Sequence, residues 1–279
     1  MFHGFALVIC VLGWVEGIDT RFEQVYPPPK MREMMDRTPT QHRAVLLIPG
    51  LRVHSFSNTK VHQAMLHDWQ ATTSHLVQGL GKNADVYAFA YAQNVPVEVI
   101  AQHPALAGCI QKLRGMGYDE VILIGHSAGG IVARLFVEDN PNAGVTRVVQ
   151  VSAPNLGSSW ARADLTVRKD QEPFLHSLTK EERLKSLQRR QDKKIPANVQ
   201  FVCVVGSTGN LGDGFVSIPS QWPEDLQAQG IPAIRLSTNH YSVVRSAVTA
   251  ARIAGLAVQF SPRLTEEEVA LRRKVMAAP

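Results

Sequence analysis

The run Val121-Ile122-Leu123-Ile124-Gly125-His126-Ser127-Ala128-Gly129-Gly130 is an apolar strand that ends in a G-x-S-x-G turn and leads into a helix beginning around Gly129. Small residues at 125 and 129 let the chain turn sharply with the backbone of Ser127 strained, so that its hydroxyl projects from the top of a sheet. The start of the following helix favours negative charge developing beside it. A lone G-x-S-x-G also occurs as a glycine-rich turn with an idle serine. The strand before it and the helix after it favour a reactive one.

Outward from that turn, short apolar runs alternate with helical patterns. The runs are Ala44 to Ile48, Val86 to Tyr91, Glu120 to Ile124, Arg147 to Val151, Val199 to Val205 and Ala233 to Leu236. Continuous apolar runs suit strands buried on both faces, which points to a parallel sheet sandwiched by helices. The spacing predicts helices over Val61 to Leu80, Val97 to Met116, Gly129 to Glu138 and Tyr241 to Val258.

Nothing before Ala44 reads as a hairpin, and residues 18–43, polar and carrying Pro27-Pro28-Pro29, read as a linker or a surface wrap. The folded unit is therefore expected over 44–279, with a sheet of about six strands. Residues 160–197 form a long insert with ten Lys or Arg against six Asp or Glu, so four of the five net positive charges lie there. Thr179 and Glu182 have capping-box spacing, and Leu184 and Leu187 give a narrow apolar stripe on the helix that would follow. That helix is either a solvated surface element or part of a lid. Thr265 and Glu268 repeat the spacing before a plain terminal helix.

A serine hydroxyl is a weak nucleophile at neutral pH and needs a base, which in turn needs an orienting acid. Asp213, in Gly212-Asp213-Gly214, follows the run Val199 to Val205, where a loop can present a carboxylate at the edge of the sheet. His240 alone among ten histidines lies after the final strand and before a helix. Asp213 can also be a plain Asp-Gly turn residue, with Asp192 as the substitute acid. An acyl intermediate would need two backbone N–H donors for its oxyanion. Ala128, after the serine, would supply one, and Leu51, after Pro49-Gly50, the other.

Four segments in order now resemble the lipase and esterase branch of the α/β-hydrolase superfamily, including its inositol-deacylase-like group. They are Leu47 to Leu51, Gly125 to Arg134 (GHSAGGIVAR), Ala153 to Ser158 (APNLGS) and Gly212 to Ser217 (GDGFVS). The resemblance spans roughly residues 44–256. It implies an α/β-hydrolase fold, a triad of Ser127, Asp213 and His240, an oxyanion hole from Leu51 and Ala128, and a lid from residues 160–197. It also implies a small-molecule or lipid ester as substrate, with no cofactor and no metal. Two positions depart from the family pattern: Pro49 stands where many members have His in the oxyanion loop, and Asn155 replaces the His of the P-H-x-G-S segment. Neither supplies a triad group, so both bear on substrate preference. The same triad also serves acyltransferases and thioesterases, because pocket shape chooses the acceptor. A binding protein on a lipid surface is the reading from a different class.

The chain has 279 residues, 45% of them apolar, enough for one substantial core. A net charge of +5 falls short of a nucleic-acid signature but suits peripheral contact with a lipid surface. Cys10, Cys109 and Cys203 have no paired spacing, so neither a disulfide framework nor a zinc site is expected. The apolar stretch Phe5 to Val15 is too short to span a bilayer, which needs roughly 20 residues. It reads as a signal peptide over residues 1–17 and export from the cytoplasm, against an ordinary buried segment or a lipid anchor at Cys10.

Overall fold

A computed structural model of the chain describes residues 17–29, 35–52, 59–162 and 169–278. The signal-peptide expectation and Cys10 lie outside them, apart from Gly17. Among the described residues seven strands pair into one sheet: β1 (Thr20–Tyr26), β2 (Arg43–Ile48), β3 (Asp85–Tyr91), β4 (Glu120–His126), β5 (Val145–Val151), β6 (Gln200–Ser207) and β7 (Ala233–Ser237). Their order is β1-β3-β2-β4-β5-β6-β7, and every pairing is parallel except that of β1 with β3. This mostly parallel sheet flanked by helices is the α/β-hydrolase architecture.

Each of the six expected runs falls on a strand, with only Val199 lying just before β6. The seventh, β1, falls inside the stretch read as linker or wrap. It is an edge strand with Arg21, Glu23 and Gln24 among its residues, so it lacks a continuous apolar run. Backbone bonds to β3 hold it, and Phe22 stacks on Tyr87 with ring centroids 5.6 Å apart. Farther along, Asp85 accepts from the backbone N–H and hydroxyl of Thr38 at 2.8 and 2.7 Å, pinning the approach to β2.

The helices are α1 (His75–Leu80), α2 (Val97–Ala101), α3 (Pro104–Gly115), α4 (Ala128–Asp139), α5 (Glu172–His176), α6 (Lys180–Arg189), α7 (Ile218–Gln221), α8 (Glu224–Ala228), α9 (Ala247–Val258) and α10 (Glu266–Ala277). Three of the four expected helices come out shorter. Pro104 breaks Val97 to Met116, because the residue before a proline is pushed out of the helical region; His103 is extended at ψ 131° and caps α3. In Val61 to Leu80 the chain instead turns so that buried Gln70 donates to the carbonyls of Leu47 and Phe89, at 3.0 and 3.3 Å, and only the last six residues form α1 behind the Ser74 cap. Residues 242–244 form a separate 3-10 turn, so α9 starts only at Ala247.

Alternate residues of β2 point to opposite faces. Ala44, Leu46 and Ile48 join the core under α2, α3 and α4, and Val45 and Leu47 join the core under α1 and α9. Burial on both faces explains why these strands read as unbroken apolar runs. Cys109 and Cys203 are free and buried in the first of these cores, where burial pushes the Cys109 thiol up to about 12.

Within the insert, residues 163–168 lie outside the described residues and α5 and α6 are helical, but the buried face of α6 is not the Leu184 and Leu187 stripe: Leu184 is 50% exposed, and the buried positions are Arg183 and Ser186. Arg183 pairs with Glu98 of α2 at 2.6 Å. Arg190, just past α6, pairs with Glu138 and Asp139 of α4 at 3.0 and 2.9 Å. Charge docks this helix on the core, and a hydropathy pattern cannot register that. Thr179 does cap α6, and Thr265 with Glu268 forms a full capping box on α10.

Candidate active site

The chain crosses from one half of the sheet to the other between β3 and β4, leaving β2 and β4 side by side with their carboxyl ends adjacent. Crevices in open α/β sheets form at such points. Ser127 follows β4 there with φ 54° and ψ −125°, a conformation rarely adopted by non-glycine residues, and α4 begins at the next residue. Glycines make the turn feasible: a Cβ at Gly125 would stand 2.3 Å from the Gly129 carbonyl oxygen, and one at Gly129 would stand 2.2 Å from that of Ile48. A Cβ at Gly50 would lie 2.6 Å from Ser127 Cβ, so the loop after β2 passes directly over the serine.

The structure brings Ser127, Asp213 and His240 together. His240 Nε2 lies 3.0 Å from Ser127 Oγ, and His240 Nδ1 lies 2.7 Å from Asp213 Oδ2. The other carboxylate oxygen, Oδ1, accepts from the backbone N–H groups of Phe215 and Val216 at 3.0 and 2.8 Å. Asp213 therefore has both oxygens committed, and only the one facing the imidazole meets a side chain. Asp192 is exposed beyond the end of α6, and the acid facing His240 is Asp213.

Leu51 and Ala128 flank the serine. Ala128 is the first residue of α4, and Leu51 lines the cleft with Ser127 and His240. Residues 49–52 are fixed from behind: Tyr91 donates to the Pro49 carbonyl at 2.5 Å, and Gln93 bridges the Gly50 carbonyl and the Arg52 N–H. Burial raises the Tyr91 phenol, so it keeps its proton as a donor. Gln93 and Gln171 belong to no sequence motif. A polar residue closing an apolar strand run, as Gln93 does in Phe89-Ala90-Tyr91-Ala92-Gln93, was the available signal.

The cleft has a volume of about 740 Å³ and a mixed lining. Leu51, Pro154, Ala161, Leu175, Leu178 and Val216 contribute apolar surface. Arg52, His67, Asp68 and Arg245 contribute polar and charged groups, and Arg245 grips Asp68 at 2.7 and 2.9 Å and holds its carboxyl below the usual range. Trp160, Phe215 and Tyr241 form an aromatic rim, with Phe215 5.3 Å from the His240 ring. From the insert, residues 160–161 and 175–178 thus border the cleft, while α6 lies against α2 and α4. Among the described residues no cluster of three His, Cys, Asp or Glu could hold a metal ion.

Asn155, the departure from the family pattern, is buried away from the serine in a polar network with Gln150 and Arg134, at 2.9 and 3.2 Å. Over residues 39–251 the sequence matches the family described as PGAP1-like alpha/beta domain. The chain belongs to that family. No curated protein matches it by sequence. Solved structures similar to this PGAP1-like domain include the mature lipase BlEst2 of Bacillus licheniformis, with TM-score 0.60 and 16% identity over 85% of this chain and 97% of that one. Aspergillus fumigatus lipase B gives 0.55 and 16% over 84% and 56%, and the metagenomic carboxyl esterase MGS0156 gives 0.52 and 16% over 89% and 81%. At such identities the likeness is one of fold, and the PGAP1-like chain shares the α/β-hydrolase architecture of these lipases and esterases.

Proposed function

We propose that the chain hydrolyses carboxylic esters through an acyl-enzyme on Ser127. The observation that carries this reading is the His240 imidazole bridging Ser127 Oγ and Asp213 Oδ2 at 3.0 and 2.7 Å. Ser127 Oγ attacks the acyl carbonyl while its proton passes to His240 Nε2. The Leu51 and Ala128 N–H groups receive the oxyanion, and Asp213 keeps Nδ1 protonated and stabilises the imidazolium. Collapse expels the alcohol, which takes the proton from His240. Water then attacks the acyl-enzyme by the same route and releases the acid. The apolar lining suits an acyl chain, and the charged lining residues suit a polar group on the substrate.

Hydrolysis of p-nitrophenyl esters of graded acyl length, with covalent labelling by a serine-reactive phosphonate, tests the reading. Ser127→Ala is expected to lose both activities and keep its fold, because the side chain contributes little packing. A mutant as active as wild type would overturn the assignment. Thioester cleavage or acyl transfer on the same residues would appear as faster turnover with a thioester, or as ester exchange when alcohols compete with water. Contact with a lipid surface is favoured by Trp160 and Tyr241, 56% and 50% exposed at the cleft rim. Cosedimentation with anionic liposomes at low and high salt would test it.

A further inference from the structure

Two buried glutamines from different parts of the chain meet behind the loop after β2. Gln93 Nε2 donates to the Gly50 carbonyl at 2.8 Å, and Gln93 Oε1 accepts from the Arg52 N–H at 2.9 Å. Gln171, fully buried and contributed by the insert, donates through Nε2 to the Arg52 carbonyl at 2.7 Å and to Gln93 Oε1 at 3.0 Å. One side-chain amide therefore spans Leu51 from both sides.

The Gly50 carbonyl and the Leu51 N–H belong to a single peptide unit. That unit is planar and trans, so its C=O and N–H point in opposite directions. Fixing the carbonyl against Gln93 therefore fixes the aim of the Leu51 N–H on the far side of the loop. A hydrogen bond to the carbonyl also polarises the amide and strengthens its N–H as a donor. The amide of Gln93 cannot be turned over, because its Nε2 would then face two donors, the Arg52 N–H and Gln171 Nε2.

We infer that Gln93 is a positioning residue for the Leu51 oxyanion donor, and that Gln171 couples the insert to it by locking the Gln93 amide. The inference rests on the reading of Leu51 as an oxyanion donor. The position needs one donor and one acceptor at the end of a side chain of this length. Glutamate accepts but cannot donate to the Gly50 carbonyl, and methionine fills the space with neither.

The test compares Gln93→Glu, Gln93→Met and Gln171→Ala in the full chain by kcat and KM for p-nitrophenyl butyrate, and by affinity for a trifluoromethyl ketone. That ketone adds Ser127 Oγ to give a tetrahedral adduct whose oxygen lies where the oxyanion would. Losing one oxyanion donor costs about 10²-fold or more in kcat, so both Gln93 variants should fall by about 10²-fold with KM within about twofold of wild type. Ketone affinity should fall in parallel, and Gln171→Ala should lose about tenfold in both.

A kcat within about threefold of wild type in the Gln93 variants, or a raised KM with unchanged ketone affinity, overturns the inference. If Gln93→Glu does not fold, Gln93→Met and Gln171→Ala give the same reading. Ser127→Ala run alongside separates the two levels. An active Ser127→Ala removes the catalytic reading itself, whereas an inert one beside unaffected Gln93 variants removes only the role of Gln93.

Discussion

His126, the residue before the proposed nucleophile, donates from Nε2 to the backbone carbonyl of His240 at 2.9 Å, with the two rings 4.9 Å apart. The strand that carries the serine thus also holds the loop that carries His240. His126 is fully buried, also packing edge-on against Trp69, and burial, followed by the charge of His240, keeps it well below the ordinary histidine value.

That depression has a signed consequence. A histidine whose folded pKa is lowered binds its proton more readily in the unfolded chain, so its contribution is present above the unfolded pKa of about 6.5 and is lost as pH falls toward the folded value. His67, His240 and Arg245 add positive charge nearby and push the same way. Thermal unfolding from pH 7.5 down to 5 should show wild type losing Tm more steeply below about pH 6.5 than His126→Gln. Parallel curves would show that His126 is not the group responsible.

Asp213→Asn should keep the shape of the site while letting an amide donate where a carboxylate accepted, favouring the wrong tautomer of His240. In serine proteases with a Ser-His-Asp triad the same change costs about 10⁴ in turnover, and a loss of about 10²-fold or more in kcat is expected here. Asp192→Asn, at an exposed position past α6, should remain near wild type. If steady-state assays showed the two outcomes exchanged, the acid would have to be moved.

Gly50→Ala would place a methyl 2.6 Å from Ser127 Cβ and 2.9 Å from the His126 carbonyl. Either the loop or the strained serine must shift. A displacement of about 1 Å near the reacting atoms can cost about 10²-fold, so kcat should drop by at least tenfold, with roughly 1–3 kcal/mol of overpacking cost to stability. Wild-type kinetics in a folded Gly50→Ala chain would mean that the loop does not approach the serine this closely.

Arg134 of α4 is buried and paired with Glu138 at 2.8 Å and with Asp225. Arg134→Met should destabilise by about 3 kcal/mol, the lower end for breaking a buried pair, because Glu138 keeps Arg190. In a chain of this size that corresponds to roughly 6–12 °C in Tm. A shift under about 2 °C in a calorimetric scan would show that the network contributes little.

The alternation of apolar runs with helical stretches and the G-x-S-x-G at the end of β4 were readable from sequence, because they rest on local backbone chemistry and on strands buried on both faces. Such features leave their mark within a few consecutive residues, whereas Asp213 and His240 could be picked out as triad members only through the family resemblance. Strand β1 was not readable, since an edge strand draws its stability from a ladder partner about 65 residues away in the chain. The face by which α6 docks was not readable, because its buried positions are Arg183 and Ser186, and Arg183 is neutralised by Glu98 on another helix. Gln93 and Gln171 lie 78 residues apart, and neither belongs to a motif. What they do depends on two amides and a loop meeting in space, and long-range hydrogen bonding of that kind exists only once the sheet has closed.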